Sequence, residues 1–388
     1  MRRVLLALAV LLVADTARAD PPDALPKLPP PPAELVAKLQ LSSKYTKYLD
    51  GGGVPILATS AVNDAALREA RYIVDHMVGR RADVLRAIAG HGIRLVVMSK
   101  TEMTTDVPEH SDLTPAAYWN RRARGLGATV QRPATSCAEE NLLEIPGDPY
   151  AAENVLVHEF GHTVHELGMS VVDATFDNRL EAAYQHARAT GLWANTYAMQ
   201  NRKEYWAEAT QSWFDTNRAN DAQHGPIDTR DKLVPYDPQI AALLREVYGD
   251  TVWRYKRPSA RPATERAHLA GFDVRNAGTF VWPASAPPTS ATLAAPATVL
   301  SLVAPDKLPS SSASNATAST LVLANQRKRD IAVDWIDFRG ARKRYLVLRP
   351  GTTHVQTTFA GHVWLFSEDG APLGGVVATV SEARVDLR

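Results

Sequence analysis

The segment His158-Glu-Phe-Gly-His162 constrains the fold of this chain more than any other, because its residue spacing suits a helix. One helical turn separates the two histidines, so both imidazoles project from the same side. Asp148 and Pro149 predict the start of this helix, and Gly168 predicts its end. Two neutral imidazoles at this spacing can share one Zn²⁺, and Glu159 can take a proton from water bound to the ion. The segment therefore predicts a zinc site on a helix.

A catalytic zinc site needs a third protein ligand and an open fourth position. A third histidine six residues after His162 is excluded, because position 168 is Gly. The segment Asn201–Glu208 supplies glutamates on a second predicted helix. We predict that Glu204 binds the metal and that Glu208, one turn further, hydrogen-bonds a ligating histidine. The alternative for Glu204 is a capping box with Asn201, which has the same spacing.

The two segments together resemble a known family. HEFGH followed by E-Y-W-A-E is similar to the gluzincin zinc peptidases, and most closely to the peptidase domain of anthrax lethal factor and its relatives. In that group a tyrosine seven residues before the ligand glutamate assists catalysis, and Tyr197 stands at that distance from Glu204. The resemblance covers roughly residues 150 to 215. It implies zinc ligands His158, His162 and Glu204, general base Glu159 and transition-state residue Tyr197.

The composition limits the class of protein, and the first residues indicate where the protein is located. A chain of 388 residues with 45% hydrophobic and 22% charged residues is long enough for two or three globular domains. A net charge of +1 without a dense Lys/Arg cluster argues against nucleic-acid binding. Residues 1–19 read as a signal peptide cleaved after Ala19, which predicts a secreted or periplasmic protein. No later stretch is apolar enough to predict a membrane helix.

The remaining chain is predicted to fold as two domains. Residues 20–33 form a proline-rich leader. We expect residues 34–275 to be an α+β zincin-like catalytic domain. Residues 276–318, rich in Pro, Ala, Ser and Thr, are predicted as a linker. Residues 319–388 show short strands separated by turn residues, which predicts a small all-β sandwich.

The sequence also predicts one strand of the first domain and the environments of several of its polar residues. Within it, Ile93–Ser99 is predicted as a buried strand, either an edge to which a peptide adds or an internal strand. His165 and Glu166 share the metal-facing side of the first helix and are expected at the rim of the site. Four further residues are expected in solvated loops: Glu109, His110, Glu139 and Glu140. His186 and His224 have no partner at metal-ligand spacing and are expected on the surface.

The C-terminal region resembles a second family, the β-domain of the von Hippel–Lindau protein. The likeness rests on Asn325, Trp335-Ile-Asp-Phe338, Gly340, Tyr345, Leu348-Arg-Pro-Gly351 and Gly361-His-Val-Trp-Leu-Phe366. In that family a Trp, a Tyr, a Ser, a His and a second Trp bind hydroxyproline. The positions that match this pocket here are Trp335, Tyr345, Thr358, His362 and Trp364. Threonine replaces the serine of the family. The alternative is that these residues belong to the core of the sandwich.

These patterns favour a secreted zinc endopeptidase with Zn²⁺ as cofactor and a polypeptide as substrate. The C-terminal domain is expected to bind polypeptide, with hydroxyproline as the residue that the resemblance implies. No membrane partner is expected, and no oligomeric state can be predicted. The alternative is a secreted binding protein with a structural zinc ion. A structural zinc site usually fills all four positions with Cys or His, and a general base has no use there.

Overall fold

The computed structural model describes residues 25–113, 116–221, 223–283, 298–313, 318–338, 340–379 and 383–388. The chain divides into two compact units, Met1–Trp282 and Pro283–Arg388. The first unit mixes helices with one sheet, whereas the described part of the second is mainly β-structure. In the described residues no helix is both long and apolar enough to cross a membrane. The predicted signal peptide lies outside the described residues.

The first unit contains a four-stranded sheet with the strand order β1-β2-β3-β4. Its strands are β1 (Lys47–Asp50), β2 (Pro55–Ala58), β3 (Arg94–Met98) and β4 (Ala134–Ala138). β1 and β2 form an antiparallel hairpin, and β3 lies parallel to both β2 and β4. All five residues of β3 are buried. The predicted strand is therefore internal, and its interpretation as an edge for peptide addition is wrong, because β2 and β4 occupy both of its edges.

Helices surround this sheet and supply most of the first core. They are α1 (Ala33–Leu39), α2 (Asp64–Val78), α3 (Ala82–Gly90), α4 (Ala116–Arg122), α5 (Glu139–Leu143), α6 (Val155–Thr163), α7 (Ser170–Val172), α8 (Phe176–Ala189), α9 (Arg202–Trp213), α10 (Arg230–Tyr236) and α11 (Pro238–Tyr248). The amphipathic pattern predicts α2 to within one residue, because one face of this helix packs into the core and Asn63 caps it.

α6 carries the His158–His162 segment, but its ends differ from the predicted ones. It begins after Asn154, whose side chain accepts the N–H of Val157 at 3.0 Å. Asp148 instead accepts the N–H of Tyr150 in the preceding turn. The helical path continues beyond α6 as a π-helical turn, Val164–Met169, and then as α7. Asp148 and Pro149 therefore do not start the helix.

Gly168 does not end the helix either, and packing explains why a glycine stands there. It lies inside the π-helical turn. A Cβ atom at this position would lie 2.7 Å from Cγ1 of Val84 in α3. The glycine therefore serves close contact between two helices rather than termination.

The side chains of the four residues expected in solvated loops are buried, and that prediction is wrong. Glu140 forms an ion pair with Arg124 at 2.5 Å, and both side chains are fully buried. Glu139 accepts the backbone N–H groups of Asn63 and Lys100. Glu109 pairs with a buried arginine of β3, and His110 is 1% exposed. These side chains are buried because each has a partner that is distant in sequence.

Close packing of α6 on α9 fixes the position of the predicted zinc site. Gly161 of α6 faces Thr210 of α9, and a Cβ atom on the glycine would lie 3.3 Å from the threonine Cγ2. The indole Nε1 of Trp206 donates to the carbonyl of Gly161 at 3.0 Å. Trp206 and Phe160 are both fully buried. Packing of the non-polar faces of the two helices therefore fixes the distance between their polar faces.

The second unit is a β-sandwich of two four-stranded sheets, with orders β11-β10-β7-β8 and β5-β12-β6-β9. The strands are β5 (Thr298–Val299), β6 (Ala318–Asn325), β7 (Ile331–Ile336), β8 (Arg342–Leu348), β9 (Thr353–Phe359), β10 (Val363–Glu368), β11 (Ala371–Val377) and β12 (Ala383–Leu387). Leucine, isoleucine, valine and aromatic side chains from both sheets form its core. β6 to β12 fall, to within one residue, in the region 319–388 where short strands are predicted, whereas β5 lies in the predicted linker.

Part of the predicted linker, residues 276–318, is integrated into the two units. Phe280 is buried in the first unit, where its N–H donates to the carbonyl of Pro146 at 2.8 Å. In the second unit β5 pairs with β12, and Val303 pairs with Gly375. Residues 298–313 therefore belong to the sandwich, which corrects the linker prediction for this part. Residues 284–297 and 314–317 lie outside the described residues.

Candidate metal centre and aromatic cluster

Three ligand-type atoms converge between α6 and α9. His158 Nε2 lies 3.2 Å from His162 Nε2 and 3.2 Å from Glu204 Oε2, and the third side of the triangle measures 3.3 Å. This set is the one group in the described residues whose His, Cys, Asp or Glu atoms lie close enough together to hold a metal ion. The three side chains are 11 to 16% exposed, so they are largely buried but still reach the surface.

The size of the triangle fits a tetrahedral zinc ion. Ligand atoms about 2.0–2.1 Å from such an ion lie about 3.3 Å from each other. All three observed separations, 3.2 to 3.3 Å, match this edge length. Three protein ligands also leave one tetrahedral position free, as in catalytic zinc sites. His158, His162 and Glu204 can therefore hold the ion that the sequence predicts.

The hydrogen bonds of His158 aim its Nε2 lone pair into the triangle. Its Nδ1 lies 3.0 Å from Oε1 of Gln211 and 3.4 Å from Oε1 of Glu208. The amide nitrogen of Gln211 donates to Glu153 and to the carbonyl of Asn154, which orients its oxygen toward the imidazole. Nδ1 is thus the protonated nitrogen, and in the neutral imidazole Nε2 is an acceptor.

The electrostatics of the site demand positive charge inside the triangle. In a neutral His158 imidazole Nε2 would be an acceptor facing the acceptor oxygen of Glu204 at 3.2 Å, so either a proton on Nε2 or a cation lies between them. Burial lowers the pKa of His158, but Glu204 and Glu208 raise it well above its ordinary value. Burial raises the pKa of Glu204, but the two histidines hold it well below its usual range. A divalent cation satisfies all three atoms at once.

Glu159 and Tyr197 stand next to this triangle. Burial raises the pKa of the Glu159 carboxyl, which makes its carboxylate a stronger base than an exposed one. The Tyr197 ring lies 6.3 Å from the His158 ring, centroid to centroid. Burial raises the pKa of Tyr197, and the charge of Glu204 raises it further. The phenol therefore keeps its proton and can donate a hydrogen bond.

Two residues that support the site have environments that the sequence did not predict. His224, which the sequence placed on the surface, is buried and lies 3.4 Å from Glu208; that prediction is wrong. Gln211 follows Glu204 by seven residues and so shares its helix face, which is a signal that sequence reasoning could have used for a partner of His158. His224 gave no such signal, because a loop brings it back to α9 from sixteen residues beyond Glu208.

His165 and Glu166 lie close to the site in sequence but outside its set of ligand atoms. His165 is buried and bonded to Asp177 through Nε2 at 2.8 Å. Glu166 forms an ion pair with Lys203. Neither residue belongs to the group of side chains that could hold a metal ion. For His165 the expected rim position is wrong, because the π-helical turn directs it into the protein.

A short extended segment, Arg124–Ala128, runs antiparallel to β4 and passes over the Glu159–His162 side of α6. Leu126 exchanges both backbone hydrogen bonds with Ser136 of β4. A Cβ atom on Gly125 would lie 3.1 Å from Cγ of Glu159, and one on Gly127 would lie 3.0 Å from Cβ of His162. Neither glycine has a backbone hydrogen bond within the described residues. Because these groups point away from β4, the segment offers an unpaired strand edge beside the site.

The five residues of the predicted hydroxyproline pocket lie close together in the sandwich. Trp364 Nε1 donates to Thr358 Oγ1 at 3.0 Å, and the threonine oxygen lies 3.2 Å from His362 Nδ1. The Trp335 ring lies 5.2 Å from His362 and 6.4 Å from Tyr345, centroid to centroid. Trp364 is 1% exposed and belongs to the core, whereas Tyr345 is 55% exposed. The core alternative therefore fits Trp364 but not Tyr345.

Two buried donors in this aromatic cluster have no partner in the described residues. They are Nε1 of Trp335 and Nε2 of His362. Thr358 accepts from Trp364, so its own hydroxyl proton goes to Nδ1 of His362, and the neutral imidazole carries its proton on Nε2. Burial lowers the pKa of His362, which keeps the ring neutral. The cluster therefore presents two N–H groups between aromatic rings.

Comparison with known proteins bears on the C-terminal unit. Residues 310–378 match the family model of the VHL beta domain, which confirms the resemblance of this region. A comparison with curated proteins finds no match to the chain.

Proposed function

We propose that this protein is a zinc-dependent endopeptidase. The observation that carries the proposal is the triangle of His158 Nε2, His162 Nε2 and Glu204 Oε2, which has the edge length of a tetrahedral zinc site and stands beside Glu159. When bound, zinc supplies a Lewis acid that polarises a carbonyl and lowers the pKa of water to roughly 7.

The side chains around the triangle perform the proton transfers. Glu159 takes a proton from the attacking water, and a tetrahedral centre forms at the scissile carbonyl carbon. The Tyr197 phenol donates to the developing oxyanion, a contact worth roughly 3 kcal/mol. Glu159 then gives its proton to the leaving nitrogen as the C–N bond breaks. The two products are a carboxylate and an amine.

A polypeptide is the substrate class that the site favours. The unpaired backbone groups of Gly125 and Gly127 run beside Glu159 and His162. An extended peptide can add to such an edge through main-chain hydrogen bonds, which places a backbone carbonyl next to the triangle. A binding protein with a structural zinc ion explains neither this edge nor the partly buried carboxylate of Glu159 beside a proposed site with an open fourth position.

The substitution Glu159→Gln tests the proposal. The purified wild-type protein should contain about one zinc per chain and cleave a mixed peptide library in a chelator-sensitive way. Glu159→Gln keeps the three ligands, so it should retain the metal and lose cleavage. Metal content is measured by elemental analysis and cleavage by mass spectrometry. A Glu159→Gln variant that cleaves normally, or a wild-type protein that binds no zinc, would contradict the proposal.

A second candidate function belongs to the sandwich, and the unpartnered donors favour it. Nε1 of Trp335 and Nε2 of His362 can both donate to an oxygen of a ligand that lies between the aromatic rings. The hydroxyl of hydroxyproline, on a flat apolar ring, has this chemistry. We propose that the C-terminal unit binds hydroxyproline-containing polypeptide.

A further inference from the structure

His224 is a buried histidine held between two carboxylates. Its Nδ1 lies 2.8 Å from Oδ1 of Asp221, and its Nε2 lies 3.4 Å from Oε2 of Glu208. The side chain is 3% exposed. Burial lowers the pKa of His224, but Glu208 and Asp221 raise it further than burial lowers it. The ring is therefore hydrogen-bonded to Asp221 through Nδ1 and within ion-pair distance of Glu208 through Nε2.

Glu208 connects this histidine to the candidate metal ligand. Its Oε1 lies 3.4 Å from Nδ1 of His158, while its Oε2 faces His224. Asn217 also donates its side-chain amide to Oε2, at 3.2 Å. A continuous line of polar contacts thus runs from His158 through Glu208 and His224 to Asp221. Glu208 has partners on both oxygens, so its carboxylate has one preferred orientation.

The loop that carries His224 also supports Tyr197. Oδ1 of Asp221 accepts the backbone N–H groups of Gln223 and His224 at 2.7 and 2.9 Å. The carbonyl of Gln223 in turn accepts the backbone N–H of Tyr197 at 2.7 Å. The loop therefore contacts two parts of the site: the carboxylate behind His158 and the backbone of Tyr197.

We propose that His224 is a positioning residue for the metal centre: it holds Glu208 in the orientation in which that carboxylate fixes the tautomer and the ring of His158. This inference rests on the proposed function, in which His158, His162 and Glu204 bind zinc. Partners that orient a ligand in this way change metal affinity by roughly 10- to 100-fold. His224 acts through Glu208, so we expect an effect at the lower end, about 10-fold.

Zinc affinity of the full chain tests the inference without relying on activity. Metal-free wild type, His224→Leu, His224→Gln and Asp221→Ala are titrated with zinc against a chromogenic chelator. Leucine has a similar size but no donor, so the dissociation constant of His224→Leu should rise about 10-fold. Glutamine can still donate to Glu208 and should stay within about threefold of wild type. The matched control is His186→Leu, at an exposed histidine of α8, which should bind as wild type does.

The outcomes separate this inference from the proposed function. Unchanged affinity in His224→Leu overturns the positioning role, while zinc binding by wild type leaves the metal centre standing. Absence of zinc binding in wild type overturns both. Circular dichroism of the metal-free proteins shows whether each variant is folded. If His224→Leu does not fold, Asp221→Ala decides: a severalfold rise in its dissociation constant supports the inference, and wild-type affinity overturns it.

Discussion

At the scale of single residues, Asn201 and Glu204 show how one spacing can serve two purposes. Asn201 caps α9, since its side chain accepts the N–H groups of Lys203 and Glu204 at 2.8 and 3.1 Å. The carboxylate of Glu204 points instead to His158 and His162. The cap therefore comes from Asn201 alone. The sequence left both roles open for Glu204, and its side chain lies with the histidines.

The two glutamates of α9 should contribute unequally to metal binding. Glu204→Ala removes one of the three proposed ligands, so zinc affinity should fall by more than about 100-fold. Glu208→Ala leaves the three proposed ligands intact and removes a carboxylate 3.4 Å from Nδ1 of His158, so affinity should fall by roughly 10- to 100-fold. The measurement is zinc titration of metal-free protein, with circular dichroism to verify the fold. Near-wild-type affinity in both variants would show that neither carboxylate serves the metal.

His110 should make the first unit sensitive to acid. Burial lowers the pKa of His110 from 6.5 to about 4, so between these values the unfolded chain binds a proton that the native state does not. Stability from this residue is complete above pH 6.5 and decreases as the pH falls through that range, by roughly 3 kcal/mol at pH 4. His110→Gln keeps an acceptor for Ser136 but cannot titrate.

Chemical denaturation at several pH values checks the sign of this effect. Between pH 7 and pH 4 the free energy of unfolding of wild type should decrease more than that of His110→Gln, by roughly 3 kcal/mol. The comparison cancels other groups that titrate equally in both proteins. Parallel pH profiles would mean that His110 is protonated as easily in the native state as in the unfolded chain.

At the scale of elements, the helices with a regular apolar face were the most predictable. α2 follows from its amphipathic pattern and its asparagine cap, and both features are local. β4 is not predictable in this way, because Ala134–Ala138 contains small and polar residues without an alternating pattern. It forms a strand because β3 pairs with it along its whole length. Burial of Glu140 likewise depends on Arg124, a partner that no local pattern indicates.

The segment Arg124–Ala128 should tolerate no side chain at Gly125. A Cβ atom there would lie 2.7 Å from the carbonyl oxygen of Ser136 and 2.6 Å from Cγ1 of Val155. Gly125→Ala should therefore lower the free energy of unfolding by about 1–3 kcal/mol and reduce cleavage, because the segment must shift away from β4 and α6.

A matched glycine in the same unit provides the control. Gly90 is the last residue of α3, and a Cβ atom added there would meet no atom of the described residues within 4 Å. Gly90→Ala should therefore be neutral or stabilise by up to about 1 kcal/mol. Denaturant titrations of both variants measure the difference. Equal stability of the two variants would show that the segment does not pack against α6 as closely as these distances indicate.

At the scale of the whole molecule, the sequence predicted two units but not their limits. Pro- and Ser-rich composition suggested a linker up to residue 318, yet Ser312 is buried in the sandwich, where it accepts the N–H of Val363 at 2.9 Å. A short pairing such as β5 with β12 involves two residues of each strand, too few for any periodic pattern. The candidate zinc ligands were predictable because each lies in a local motif. The position of His224 was not predictable, because only the folding of the loop after α9 brings it next to Glu208.

If both proposed functions hold, the chain joins a peptidase to a polypeptide-binding unit, and such a link raises the local concentration of the bound polypeptide near the proposed cleavage site. The pocket residues suggest which polypeptide is selected. If Trp335 and His362 donate to the hydroxyl of hydroxyproline, plain proline leaves both buried donors unpaired. The Glu159→Gln variant of the full chain should then bind a hydroxyproline peptide at least about tenfold more tightly than its proline twin, a difference of roughly 1.4 kcal/mol.

Calorimetry measures both affinities, and His362→Ala should abolish the preference while His354→Ala, in the same unit, should retain it. Equal binding of the two peptides would assign the aromatic cluster to packing or to a ligand of different chemistry.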